Sequence, residues 1–364
     1  MTILAMTATA TPQTPPPRDE FLRQYAESRR FQNGRPVGLK FTPDGKTLLF
    51  LRSPPTSTVQ ALFAFDVATG TTRELLSADA ILRGASQELT VEERARLERM
   101  RNTARGIIGY ALSEDGGQLL IALSGRLYRI DRASGRATEL KTGEGAPIDP
   151  RFSPDGRFVS YVRGGDLYVL ELEGHRERQL THGGGADVTN GLAEFVAQEE
   201  MQRFTGYWWS PDSKAIAFER SDTSKVEKLA IVDPTHPERG ANLFPYPRPG
   251  RANAEVRLGI AALGGGRTAW VQWDAERYPY LATVTWPKKG PLTALVQNRT
   301  QTDQLLLAVD PRTGRTRTLL REEDEAWINL EQPFPHWLED GSGFLWYTER
   351  NGAPEVELRT PDGA

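Results

Sequence analysis

The sequence has no cysteine, which excludes structural disulfides, thiolate metal sites and cysteine nucleophiles. Histidine is scarce as well. His175, His182, His236 and His336 are dispersed, and no H-x-x-x-H pair sets two imidazoles on one helical face, so a metal centre is disfavoured and no cofactor is expected. An excess of one charge is missing too: 45 Lys and Arg stand against 48 Asp and Glu, a formal net charge of -3. That balance gives no polybasic footprint for nucleic acid and no attraction to an anionic membrane. No run of about 18 apolar residues occurs, so no membrane-spanning helix is expected. The Pro-rich start, residues 1–18, has no basic segment ahead of its short apolar run and reads as a flexible tail rather than a signal peptide. The compartment stays open, cytoplasmic by default.

Glycine and proline, at 34 and 25, are plentiful and fall in a pattern. A Pro/Glu-Asp-Gly turn follows an apolar residue in Phe41-Thr-Pro-Asp-Gly45, Leu112-Ser-Glu-Asp-Gly116, Phe152-Ser-Pro-Asp-Gly156, Trp209-Ser-Pro-Asp-Ser213 and Trp337-Leu-Glu-Asp-Gly341. Pro presets φ, Asp can bond its own backbone two residues on, and Gly accepts positive φ, so each copy is a tight turn. A run of β-formers follows each, as in Leu48-Leu49-Phe50-Leu51 and Phe158-Val159-Ser160-Tyr161. A second turn, Asp-x-x-Thr/Ser-Gly, recurs at Asp66–Gly70, Asp131–Gly135 and Asp310–Gly314. Four short strands per unit make a propeller blade.

The turn aspartates at 44, 115, 155, 212 and 340 are 71, 40, 57 and 128 residues apart, against roughly 40–50 for one blade. The longest gap is expected to hold two degenerate units, one near Gly264-Gly265-Gly266 and one beginning near Leu292. The expectation is an all-β chain, a β-propeller of about six four-stranded blades over residues 19–364, with helical insertions at about 86–106 and 186–206. A single β-sandwich does not account for the recurring turn pair.

The first insertion opens with Thr90 and Glu93 at capping-box spacing, with Glu92 placed to meet Arg96 one turn on. Its Arg94, Arg96, Arg99, Arg101 and Arg105 are either a solvated face or an anion site. The second insertion carries Glu199 and Glu200 side by side. On a helix they diverge by about 100°, which suits neither for a shared i,i+4 ion pair. Two adjacent carboxylates repel and call for a cation, and a peptide's protonated α-amine, compact and with three donors, meets that need. From spacing alone a solvent-facing glutamate pair is the other reading.

Phe195-Val-Ala-Gln-Glu-Glu-Met201 with Gly206-Tyr-Trp-Trp-Ser-Pro-Asp212 resembles the characteristic stretch of the dipeptidyl peptidase IV family, in the prolyl oligopeptidase group of serine peptidases. Gly38-Leu-Lys-Phe-Thr-Pro-Asp-Gly45, the Arg-rich helix and the blade turns fit bacterial members too, so the resemblance covers residues 20 to 360. It implies an eight-bladed propeller followed by an α/β-hydrolase domain, and removal of N-terminal X-Pro or X-Ala dipeptides. The family's paired glutamates, which anchor the peptide's free N-terminus, match Glu199 and Glu200. The family also holds a substrate carbonyl with an arginine, which bacterial members supply from the helical insertion. Arg96, Arg99 and Arg101 are the candidates, and the hairpin at Ser124-Gly-Arg126 is short enough to agree with that source. Family members are often periplasmic or secreted.

The departure concerns the chemistry. A serine hydrolase needs a G-x-S-x-G elbow with Asp and His after it, and none occurs: Gly84-Ala-Ser-Gln-Glu fails at its fifth position. The expectation is therefore a partial propeller, six blades of eight, without its catalytic domain and inactive alone. Its expected partners are peptide N-termini, a C-terminal hydrolase half and, through open sheet edges, other copies of itself. A non-enzymatic protein-binding scaffold is the competing function. A propeller glycosidase or lyase fits less well, because its two carboxylates should flank a scissile bond from different blades.

Overall fold

The repeated turns are closed by the same side-chain bond. Thr42 donates its hydroxyl to Asp44 at 2.6 Å, Ser113 to Asp115 at 2.5 Å, and Ser153 to Asp155 and Ser210 to Asp212 at 2.6 Å each. The fifth copy has Leu338 in that place, and Ser342 binds Asp340 instead, at 2.7 Å. The residue after each aspartate has positive φ: Gly45, Gly116, Gly156 and Gly341 lie between 67° and 77°, and Ser213 at 59°. Glycine suits this position because the left-handed region costs it nothing.

The computed structural model describes residues 18–89 and 91–364, with their side chains except those of 18, 91, 92, 95, 96 and 239. The tail expected to be flexible, residues 1–17, and the expected helix cap Thr90 lie outside the described residues. The described chain forms two compact units, one reaching to Gln87 and including Thr103–Gly109, the other Glu88–Asn102 with Tyr110–Ala364. The first holds helices α1 (Arg18–Glu27) and α2 (Ala78–Leu82) and an antiparallel sheet of Val37–Phe41, Thr47–Arg52, Val59–Asp66 and Thr72–Leu76. Arg105–Gly106 adds to that sheet in parallel.

The second unit holds helices α3 (Val91–Arg99) and α4 (Phe195–Glu199) and five sheets of blade type. The sheet at 111–140 and the sheet at 148–179 each run through four antiparallel strands in chain order. In the next, Ala215–Asp222 lies between Glu255–Ala262 and a first strand that comes in two pieces, Val188–Asn190 and Tyr207–Trp209. Four strands from Tyr280 to Glu323 and three from His336 to Arg359 complete the set. Consecutive sheets bury a face against each other. Leu120 and Leu127 pack with Val159 and Tyr161, Val162 and Leu167 with Tyr207 and Phe218, Leu258 and Ile260 with Leu281 and Val296, and Leu295 and Leu306 with Trp337 and Phe344. Middle strands covered on both faces read as unbroken apolar runs rather than alternating ones, and Leu119, Leu120 and Ile121 are all fully buried.

One expected unit is absent. Gly264–Gly266 is a turn inside the 188–270 sheet, and Ala269–Trp270 is that sheet's last strand, pairing with Gly259 and Ile260. The extra length of the 128-residue gap goes instead to a separate hairpin, Lys228–Val232 with Ala241–Pro245. Six blade-type sheets result among the described residues, and Leu292–Gln297 is the second strand of the fifth.

Candidate functional site

The insertion that carries the glutamate pair leaves its sheet and returns within one rung. Asn190 pairs with Arg220 and Tyr207 with Phe218. Between them, Glu219 accepts the Gly191 N–H at 2.7 Å and donates its own N–H to Gly206 at 2.8 Å. The neck is tight: a Cβ on Gly206 would lie 2.4 Å from the Leu192 carbonyl carbon and 2.5 Å from the Gly191 oxygen. Only glycine permits that approach.

A buried polar cluster fixes the excursion above the neck. The Arg203 side chain is 4% exposed and pairs at 2.5 Å with Glu219, which is fully buried. Arg203 also donates to the carbonyls of Leu281 at 2.9 Å and Thr205 at 2.7 Å. Glu219 accepts the Glu194 N–H at 2.7 Å through its other oxygen. Glu194 caps α4, taking the Val196 and Ala197 N–H groups at 2.7 and 2.6 Å. Burial, and secondarily the charge of Glu219, push Glu194 up from 4.5 to about 7. Burial raises Glu219 as well, against the pull of Arg203. The far end of α4 is held too: Met201 lies in the apolar core beside Trp337 and Phe344, and Gln332 donates to its carbonyl at 2.6 Å.

Glu199 and Glu200 sit between these anchors. Glu199 ends α4 with its side chain 23% exposed, and Glu200, the C-cap, is exposed. The guanidinium of Arg101 stands 3.9 Å from Glu199, and among the described residues no cation pairs with Glu200.

The three arginine candidates separate. The side chain of Arg96 lies outside the described residues. Arg99 is half-buried with its guanidinium 5.7 Å from the centre of the Phe244 ring, while Phe195 of α4 packs on Phe244 and Tyr246. Arg101 lies two residues beyond α3, not on it, at φ 48°. A non-glycine side chain in that conformation carries strain, here where the loop brings a guanidinium to Glu199. Glu93 accepts the Gly125 N–H at 3.3 Å, so the short 124–126 turn is where α3 docks.

Arg203, Glu219 and Glu194 were not among the residues singled out from the sequence. Glu194 carried a signal, an acidic residue directly ahead of a helical run. Arg203 and Glu219 carried none, being ordinary charges 16 positions apart.

Stacked four-stranded antiparallel blades define a β-propeller fold. A family model described as the dipeptidyl peptidase IV (DPP IV) N-terminal region matches residues 113–364, and the chain belongs to that family. Its fold is similar to that of the crystal structure of Porphyromonas gingivalis dipeptidyl peptidase 4, with a TM-score of 0.74 and 22% identity over 97% of this chain and 49% of that one. Mus musculus dipeptidyl peptidase 8 is 24% identical over 321 residues, 71% of this chain and 36% of that protein. Venom dipeptidyl peptidase 4 of Apis mellifera is 25% identical over 216 residues, 55% of this chain and 28% of that protein. The chain thus spans about half of the bacterial structure and about a third of the curated relatives it matches.

Proposed function

We propose that this region recognises peptide N-termini for a serine-type dipeptidyl peptidase. Glu199 and Glu200 hold the peptide's α-ammonium group and Arg101 a backbone carbonyl, so that a hydrolase half cleaves after the second residue, in X-Pro or X-Ala sequences. The observation that supports this best is the mounting of the pair. Two carboxylates are fixed at the end of a helix whose start and finish are both tied to buried groups, and their one described cation is at 3.9 Å, beyond hydrogen-bonding distance. An ammonium group entering there gains two charge-assisted acceptors without reorganising the helix.

Calorimetric titration of the chain with an Ala-Pro tripeptide and with its N-acetylated form tests the reading. The free amine is expected to bind and the acetylated peptide not to, with Glu199→Gln and Glu200→Gln each weakening binding by about tenfold or more. Equal binding of the two peptides overturns it. Because the 364 residues contain no G-x-S-x-G elbow, the purified chain is also expected to leave a Gly-Pro chromogenic conjugate intact. Turnover stopped by a serine-directed inhibitor would refute that part.

A further inference from the structure

Away from the glutamate pair, a cavity of about 440 Å³ opens between the 148–179 and 188–270 sheets, and no carboxylate is among the residues that line it. Arg178 and His182 reach it from one sheet, Arg220 and Trp270 from the other, with Gln179 and Thr268 as neutral donors. Arg220 is half-buried and donates to the Asn190 side-chain oxygen at 3.1 Å. Directly across the ladder from it stands another arginine, Arg257, whose guanidinium lies 4.1 Å from the centre of the Trp270 ring. Like charges set opposite each other in a sheet destabilise it unless an anion comes between or beside them.

Asp222 and Glu255 stand two rungs along the same ladder, and Asp222 feels the charge of Arg220, but neither lines the cavity. Asp166 is buried behind the cavity, and its oxygens are taken up by Gln179, Thr181, the Gly184 N–H and Asn190, at 2.8 to 3.2 Å. Among the described residues, Arg178, His182, Arg220 and Arg257 form no ion pair. In a chain with 48 acidic residues, such a cluster is a gap in an otherwise mixed surface.

We infer that this crevice binds a phosphate-class oxyanion, as the free ion or as the phosphoryl group of a small organic ligand. Guanidinium groups from two sheets approach from different directions, which suits a tetrahedral dianion better than a single planar carboxylate. The volume exceeds that of one phosphate and leaves room for an organic portion beside Trp270.

The test is calorimetric titration of the chain with inorganic phosphate and, separately, with adenosine 5′-monophosphate, at constant ionic strength. Saturable binding of at least one is expected, weakened about tenfold in Arg220→Gln and in Arg178→Gln. The Arg178 side chain is exposed, so its variant keeps the test open if Arg220→Gln fails to fold. Binding of phosphate alone identifies the free ion as ligand; tighter binding of the nucleotide identifies an organic phosphate. No saturation by either up to about 10 mM, or binding unchanged in Arg178→Gln, overturns the inference. Ala-Pro peptide binding should be the same in both variants, so failure here stays distinct from failure of the glutamate reading.

Discussion

Arg203 neutralises a carboxylate that has no access to water. Glu219 is fully buried, and removing its partner leaves a charge in a low-dielectric site at a cost of about 3–5 kcal/mol. Arg203→Met is accordingly expected to lower unfolding stability by that order in a denaturant titration. The double variant Arg203→Met/Glu219→Leu should recover most of it, and a double variant as unstable as the single would show that the ion pair is not the cause. The sequence made Glu199 and Glu200 visible because adjacent carboxylates are chemically conspicuous. It hid Arg203, because a single arginine between Gln202 and Phe204 looks like any linker residue until the fold brings Glu219 against it.

For α4, the governing fact is that its capping Glu194 is buried beside a second carboxylate, Glu219, whose guanidinium partner Arg203 bonds to Glu219. With its carboxyl raised from 4.5 to about 7 by burial and by Glu219, folded Glu194 binds more protons than unfolded Glu194 between those values. Stability therefore falls as pH rises through that window, the reverse of an ordinary ion-paired carboxylate. Hydrogen exchange of the α4 amides, followed from pH 5 to 8 and corrected for intrinsic rates, should show protection declining with pH. Glu194→Gln keeps a capping oxygen and should flatten that trend; an unchanged trend would assign it to another group. Most blade strands were legible, since hydroxyl-x-Asp-Gly turns are local chemistry that needs no tertiary partner. The supposed unit at Gly264 was not, because a glycine-rich turn within a blade and one between blades have the same composition. Only the pairing of Trp270 with Gly259 separates them.

The last described strand, Glu355–Arg359, is bonded on one side only, to Phe344–Thr348, and its Val356 and Leu358 are 57% and 66% exposed. A one-sided strand that exposes two apolar side chains is a template for another chain. Size-exclusion chromatography across a range of concentrations should show a concentration-dependent larger species, reduced by Leu358→Lys; a constant monomer would refute the expectation. Sequence could place five of the six blade-type sheets because their turns repeat, yet the side-by-side burial that joins them depends on residues distant in the chain. The pinched rung at Gly191 and Gly206 has a consequence for how such a region can change over time. Inserting one residue into an ordinary strand turns every later side chain to the opposite face. Between two points fixed to the same residue of the neighbouring strand, segments of different length leave the blade's inward and outward pattern untouched. The reach of the carboxylates is thereby a property that selection can adjust by itself, while the sheet beneath is inherited unaltered.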